Sequence, residues 1–255
     1  MGPERSPLDN IPEIILLCKE QRFITAFHDA LATHWPEATQ SHPEPHPERR
    51  ITIRTLHATL RTVPPSTRFQ LIVSPANSYG RLDGAFDDAI SRAFCLSRSR
   101  RVAYDTLTEA AQRVLYERWR GFAPPGSCTL VRVPRELMET DAETPWGCKW
   151  VALCPTMRAP GAVVWDREIV YECVWSLLCE VERWNRDRSD DRIETMLMTP
   201  LATGVGAVSA ERWAAQFVLA LKHFVDALER PGRWSRLDWG EIEHDVLEVE
   251  GTWRE

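Results

Sequence analysis

Leu71-Ile-Val-Ser-Pro-Ala-Asn-Ser-Tyr-Gly-Arg-Leu-Asp-Gly-Ala-Phe-Asp-Asp-Ala-Ile90 is the stretch whose reading decides the fold. Leu71 to Val73 are apolar and read as the end of a buried strand. Asp87 to Phe94 read as the first turns of a helix. Between them Asn77, Ser78, Gly80, Asp83 and Gly84 make a polar, turn-rich loop. A strand that delivers a small-residue loop to a helix N-terminus brings free backbone N–H groups together, which suits an anion and a ribose. An ordinary strand–loop–helix connection meets the same spacing equally well.

A second loop of the same kind lies downstream, in Met196-Leu-Met-Thr-Pro-Leu-Ala-Thr-Gly-Val-Gly-Ala-Val-Ser209. It follows an apolar strand and precedes a long amphipathic helix, with Ser209 as candidate N-cap and Glu211 in the first turn. Thr203, Gly204, Gly206 and Ala207 leave the backbone uncluttered, so a pyrophosphate can approach closely. No Gly-Lys-Ser/Thr follows, so this is not a P-loop. The third glycine of the dinucleotide fingerprint is also missing.

The two loops together resemble the macrodomain family of ADP-ribose-binding modules. The resemblance rests on Ser74-Pro-Ala-Asn-Ser78, Gly84-Ala-Phe-Asp-Asp-Ala-Ile90, the ten-residue step from Asn77 to Asp87, and Thr203-Gly-Val-Gly206. It spans roughly Pro12 to Leu228. The Ser-Pro-Ala-Asn-Ser spelling and Cys154-Pro-Thr-Met-Arg158 between the loops look like a divergent branch found in fungi and phages. The resemblance implies a three-layer α/β macrodomain-like fold, a central mixed sheet with helices on both sides.

It also implies site roles. Asn77 matches the asparagine that hydrogen-bonds the distal ribose, and Asp87 the aspartate that orients or activates water near the anomeric carbon in hydrolytic members. Plain helix capping is the alternative for Asp87. A carboxylate at a helix start is favoured by the dipole, so without burial its pKa is not raised and a base suits it better than a general acid. Gly84, Ala85 and Phe86, with Thr203, Gly204, Val205, Gly206 and Ala207, would offer backbone N–H groups to the phosphates. Ser74, Ser78, Asp83 and Val208 complete the candidate binding set; turn formation explains Asp83 equally well. Three departures bear on catalysis: one glycine, Gly84, followed by Ala85 where the family has a glycine run; Ser74 in place of the first asparagine; and Val208 where hydrolases often carry an aromatic.

Composition narrows the class. The chain has 255 residues, 44% of them hydrophobic, enough for a substantial core. A net charge of −6 gives no footprint for general nucleic-acid binding. The basic run Ser97-Arg-Ser-Arg-Arg101 reads as a solvated loop. No apolar run is long enough to span a membrane, and Met1 to Pro12 does not read as a signal peptide. Seven cysteines lack a CxxC pair or a regular framework, which reads as reduced thiols in an intracellular protein, cytoplasmic or nuclear. A monomer is expected, with no cofactor and no metal; the prolines around His42 and His46 supply no convincing ligand set.

The rest of the chain reads as alternating strands and helices. Glu13 to Cys18 is a buried strand, followed by a helix bearing Phe23, Ile24 and Phe27. Residues 36–50 read as a Pro/His-rich surface insertion, and Ile51 to Leu60 as a strand. Thr106 to Glu109 carries a capping-box signature. Cys128 to Val133 and Lys149 to Cys154 are strands. Three residues separate Cys154 from Arg158, too few for the phosphate loop of tyrosine phosphatases. Arg158 either touches a ligand or pairs with an acid. Asp166 starts a long helix, Arg192 to Thr199 is the strand feeding the second loop, and Trp213, Phe217, Leu221, Phe224 and Leu228 form a core stripe. The family's acidic residue for adenine has Glu20 as its nearest counterpart. Residues 12–230 are thus assigned to one domain and 231–255 to an acidic extension with Trp234, Trp239 and Trp253.

Three functions remain open on these grounds. The first is hydrolysis of ADP-ribosyl linkages or of ADP-ribose 1''-phosphate. The others are a non-catalytic reader of ADP-ribose or an ADP-ribosylated macromolecule, and an interaction protein with an inactive cleft.

Overall fold

The computed structural model describes residues 6–38, 51–96, 102–138, 145–188 and 190–254. His42, His46 and the basic run 97–101 lie outside them, as does most of the Pro/His-rich stretch.

The first half runs β1 (Glu13–Cys18), α1 (Gln21–His34), β2 (Ile53–His57), β3 (Leu71–Ser74), α2 (Ala85–Leu96) and α3 (Thr106–Trp119). The second half runs β4 (Thr129–Arg132), α4 (Arg135–Met138), β5 (Trp150–Leu153), α5 (Ile169–Asp187), β6 (Thr195–Met198), α6 (Ala210–Glu229), α7 (Pro231–Trp234) and α8 (Trp239–Gly251). The six strands form one sheet in the order β2-β1-β6-β3-β5-β4. All neighbours are parallel except β4 and β5, so the sheet is mixed. Ile14 to Leu17 and Leu71 to Val73 are buried on both faces, which is why these strands read as unbroken apolar runs.

Each face of the sheet carries its own core. Ile14, Leu16, Leu71, Val73 and Met196 pack with Phe27, Leu177, Trp213 and Phe217 from α1, α5 and α6. Ile15, Leu17, Ile72, Val151 and Leu197 pack with Ile90, Phe94, Leu107 and Leu115 from α2 and α3. The result is the three-layer α/β architecture with helices on both sides of the sheet.

Several boundaries differ from the sequence reading. Ile51 to Leu60 shortens to β2, because Leu60 turns into a 3-10 segment. The capping box at Thr106 does not form: Thr106 lies inside α3, its hydroxyl donates to the Ala103 carbonyl, and Asp105 holds the cap position without a side-chain bond. Asp166 accepts from the Glu168 amide in the turn ahead of α5, which itself begins at Ile169. Ser209 does cap α6, accepting from the Arg212 amide at 3.1 Å.

The C-terminal segment is docked on α6. Arg233 of α7 reaches Asp226 at 2.9 Å, Asp245 at 3.0 Å and Glu241 at 3.2 Å. Lys222 and His223 both meet Glu248, and Gln216 donates to the Thr252 hydroxyl. α6 is therefore buried well beyond the stripe read from its aromatics, Gln216 and His223 included.

Candidate functional site

Both glycine-containing loops leave the carboxyl ends of parallel neighbours, β3 and β6, the usual place for a ligand in an open α/β sheet. The connection after β5 joins them. Together they enclose a cleft of about 260 Å³. Its walls include Asn77, Asp83, Gly84, Ala85, Phe86 and Asp87 from loop one. Thr203, Gly204, Val205 and Gly206 come from loop two, and Thr156, Met157 and Pro160 from the segment after β5.

Loop one is shaped by Asn77. Its Oδ1 accepts from the amides of Tyr79 at 3.1 Å and Arg81 at 3.4 Å, and its Nδ2 donates to the Arg81 carbonyl at 2.8 Å. Such side-chain turns are the ordinary work of asparagine. One N–H of the Asn77 amide is left without a partner among the described residues. Arg81 and Asp83 pair at 2.5 Å on the rim.

Asp87 and Asp88 are neighbours with opposite environments. Asp88 accepts from Arg92 and Tyr104, contacts that hold its carboxyl below the usual range. Asp87 is buried in the cleft wall, where Ser74 Oγ donates to its Oδ1 at 2.7 Å. Burial pushes the Asp87 carboxyl up to about 7, Asp83 adds to the rise, and the Ser74 bond opposes it. Burial, the condition on which the sequence reading let this pKa rise, is met here. The dipole of α2 loses to desolvation once the group is taken out of water. Asp87 is not a capping residue: its partner is Ser74 at the end of β3.

Loop two is held by backbone bonds, two of its own and one from the segment after β5. Val208 N–H donates to the Ala202 carbonyl at 3.1 Å, Ala207 to Gly204 at 3.0 Å, and Val163 to Gly206 at 3.0 Å. A Cβ on Gly206 would stand 2.4 Å from the Ala202 oxygen, so that approach requires glycine. Among the described residues, the N–H groups of Thr203, Gly204, Val205 and Gly206 meet no backbone acceptor, and neither do those of Gly84, Ala85 and Phe86. Ala85, Ala202 and Ala207 all have left-handed backbones, with φ of 48°, 60° and 60°.

Four members of the candidate binding set do not line the cleft. Ser74 and Ser78 are buried, the first under Asp87 and the second donating to the Met157 carbonyl. Val208 is buried with the α6 core, and Ala207 is exposed away from the lining. Glu20 is exposed and pairs with Arg22 at 3.0 Å, outside the cleft. Arg158 pairs with no acid among the described residues: it donates to the Tyr79 hydroxyl at 3.1 Å and lies over the Phe122 ring. Cys154 is buried; its neighbour Cys128 and burial push the thiol well up, so it is no nucleophile. Thr156, Met157, Pro160, Thr199 and Pro200 line the cleft without having been singled out as binding residues. Only the placement of Thr156 and Met157 directly after a buried strand offered a signal.

All seven cysteines are unpaired. Among the described residues no group of three or more His, Cys, Asp or Glu side chains is placed to hold a metal ion. No helix among them is long and apolar enough to cross a membrane.

No family model matches the chain, and no curated protein matches it. Among solved structures, a macrodomain of Oceanobacillus iheyensis with ADP is similar over 64% of this chain and 74% of that one, at 16% identity and a TM-score of 0.45. The Oceanobacillus iheyensis macrodomain with MES bound is similar over 75% and 87%, at 16% identity and a TM-score of 0.43.

Proposed function

We propose that the chain is a macrodomain-type protein that binds ADP-ribose or a derivative between the two loops and hydrolyses the bond at the anomeric carbon of its terminal ribose. The observation that carries the reading is Asp87: a carboxyl buried in the wall of a cleft whose two loops present unpartnered backbone N–H groups, with burial pushing it up to about 7. Those N–H groups suit a diphosphate without any cation. Asp87 Oδ1 is taken by Ser74, and among the described residues no donor meets Oδ2.

In hydrolysis, water forms the new C–O bond at the anomeric carbon as the bond to the protein side chain or to phosphate breaks. Asp87 takes the water proton through Oδ2, and the departing group is protonated in turn. A group with a pKa near 7 does either half of this exchange at physiological pH. The loop motifs of the sequence support the choice of ligand, and the unpaired cysteines favour a reducing compartment.

Asn77 favours a second reading, a non-catalytic reader. With its amide engaged in the loop, Asn77 has less to offer in fixing the ribose for attack.

Isothermal titration with ADP-ribose, with ADP as control, tests the binding. Micromolar affinity for ADP-ribose that falls with ADP supports both readings, and no affinity leaves neither standing. Turnover of ADP-ribosylated protein or ADP-ribose 1''-phosphate, lost in Asp87→Asn while binding stays, separates the hydrolase from the reader.

A further inference from the structure

We infer that a second pocket, beside loop two and separate from the cleft, is a docking site for an acidic peptide segment of a partner protein. It lies where the head of α5, the first turn of α6 and the end of α8 meet, and it encloses about 760 Å³. Arg167 ahead of α5, Arg212 in α6 and Arg254 beyond α8 line it, with Glu250 as its one acid. None of the three arginines meets a carboxylate within salt-bridge distance among the described residues. Elsewhere Arg81, Arg92, Arg118 and Arg233 each have an acidic partner. On a chain of net charge −6, three unpaired cations around one hollow are a local reversal of sign.

Two of the guanidinium groups are held in place around Trp253. Arg212 donates to the Trp253 carbonyl at 2.6 Å, and the Arg167 guanidinium lies 5.0 Å from the centre of the indole ring. The indole N–H donates to Glu168 at 3.1 Å, which pins the ring. Arg167 and Arg254 are exposed, so their charges are open to a partner. A guanidinium is a rigid fork that matches a carboxylate, and one already held by packing loses less freedom on binding. Val164 and Leu247 supply an apolar side to the pocket; they are 83% and 66% exposed. An aliphatic residue flanked by acids answers both features. Nucleic acid answers them less well, because Arg167 already covers a face of the indole on which a base would stack. The Val163 N–H bond to the Gly206 carbonyl, at 3.0 Å, sets Val164 next to loop two, so a docked partner stands beside the cleft.

The test is fluorescence anisotropy of the full chain with an array of labelled peptides mixing Glu and Asp with Leu and Val. Each peptide is matched by a copy in which the acids are replaced by amides, and no ligand is added for the cleft. Acidic members should bind at least about tenfold more tightly than their amide copies and should weaken as salt rises. Arg167→Glu and Arg254→Glu should each weaken them by about tenfold or more. Arg61→Glu makes the same charge change at an exposed arginine that lines neither pocket nor cleft. It should shift binding by no more than about twofold. Thermal unfolding checks that each variant is folded; if a charge reversal is not tolerated, Arg254→Gln should weaken the same peptides in the same direction. If no acidic peptide outbinds its amide copy, the docking site is overturned. Equal loss in Arg61→Glu shows general charge attraction and overturns it too. Capture of single-stranded RNA in preference to every peptide would also overturn it.

Discussion

Ser74 Oγ donates to Asp87 Oδ1 at 2.7 Å, joining the end of β3 to the first turn of α2 thirteen positions later. The bond ties the carboxyl to the sheet and stabilises its ionised form, opposing the burial that raises its pKa. Ser74→Ala removes the opposing contribution. Asp87 should then titrate above its present value of about 7. The ascending limb of the pH–rate profile, which reports ionisation of the base, should move to higher pH. A carboxyl-carbon NMR titration reads the same shift without substrate. A shift to lower pH would show that Ser74 does not stabilise the carboxylate.

Stability should follow the same carboxyl. The folded pKa of about 7 lies above the unfolded value of 3.8, so the native state holds a proton that the unfolded chain releases. Stability contributed by this group is present below 3.8 and is lost as pH rises to about 7. The change amounts to at most about 4 kcal/mol on the scale of 1.36 kcal/mol per pKa unit. Asp87→Asn keeps an acceptor for Ser74 and removes the ionisation. Urea unfolding from pH 4 to 8 should show the variant gaining on wild type as pH rises. Parallel curves would refute the buried-carboxyl account.

The left-handed alanines are a second lever. Ala85, Ala202 and Ala207 each sit where a Cβ is unfavourable by about 1–2 kcal/mol, partly offset by the entropy that glycine loses on folding. Single Ala→Gly changes should be neutral or stabilising by up to about 1 kcal/mol, read as a raised unfolding temperature. Gly206→Ala should do the reverse, destabilising by about 1–3 kcal/mol as the new Cβ meets the Ala202 carbonyl. Loss of ligand affinity in Gly206→Ala at a temperature where the protein is still folded would place the effect in loop two.

Arg233 gathers Asp226, Glu241 and Asp245 around one guanidinium. Arg233→Met keeps much of the stem but leaves three carboxylates without their shared cation. Limited proteolysis should then cut near α8 faster than in wild type. ADP-ribose affinity should hold, since none of these residues lines the cleft. Unchanged proteolysis would mean that other contacts, such as Lys222 with Glu248, hold α8 alone.

Much of this was legible in the chain. β1 falls on Glu13–Cys18 as read, because a central parallel strand must be apolar on both faces. The N-cap at Ser209 was legible because a short polar side chain before an apolar periodic run has one good use. The two strand–loop–helix passages that wall the cleft were visible from their glycines and turn residues. Three things were not. The pKa of Asp87 depends on burial by segments far away in sequence. The fate of the Asn77 amide depends on a turn conformation that several sequences can adopt. Docking of residues 231–254 onto α6 was hidden because that contact is made by ion pairs, whose partners spacing does not name.

Loop two is closed by three backbone bonds and loop one by the three bonds of Asn77, so both walls stand in place before any ligand arrives. Capture should then proceed at the pace of diffusional encounter, with little to slow it, and residence time should set the affinity differences between ligands. The heat capacity change on capture should match the surface covered by the ligand alone, with no added contribution from a segment folding around it.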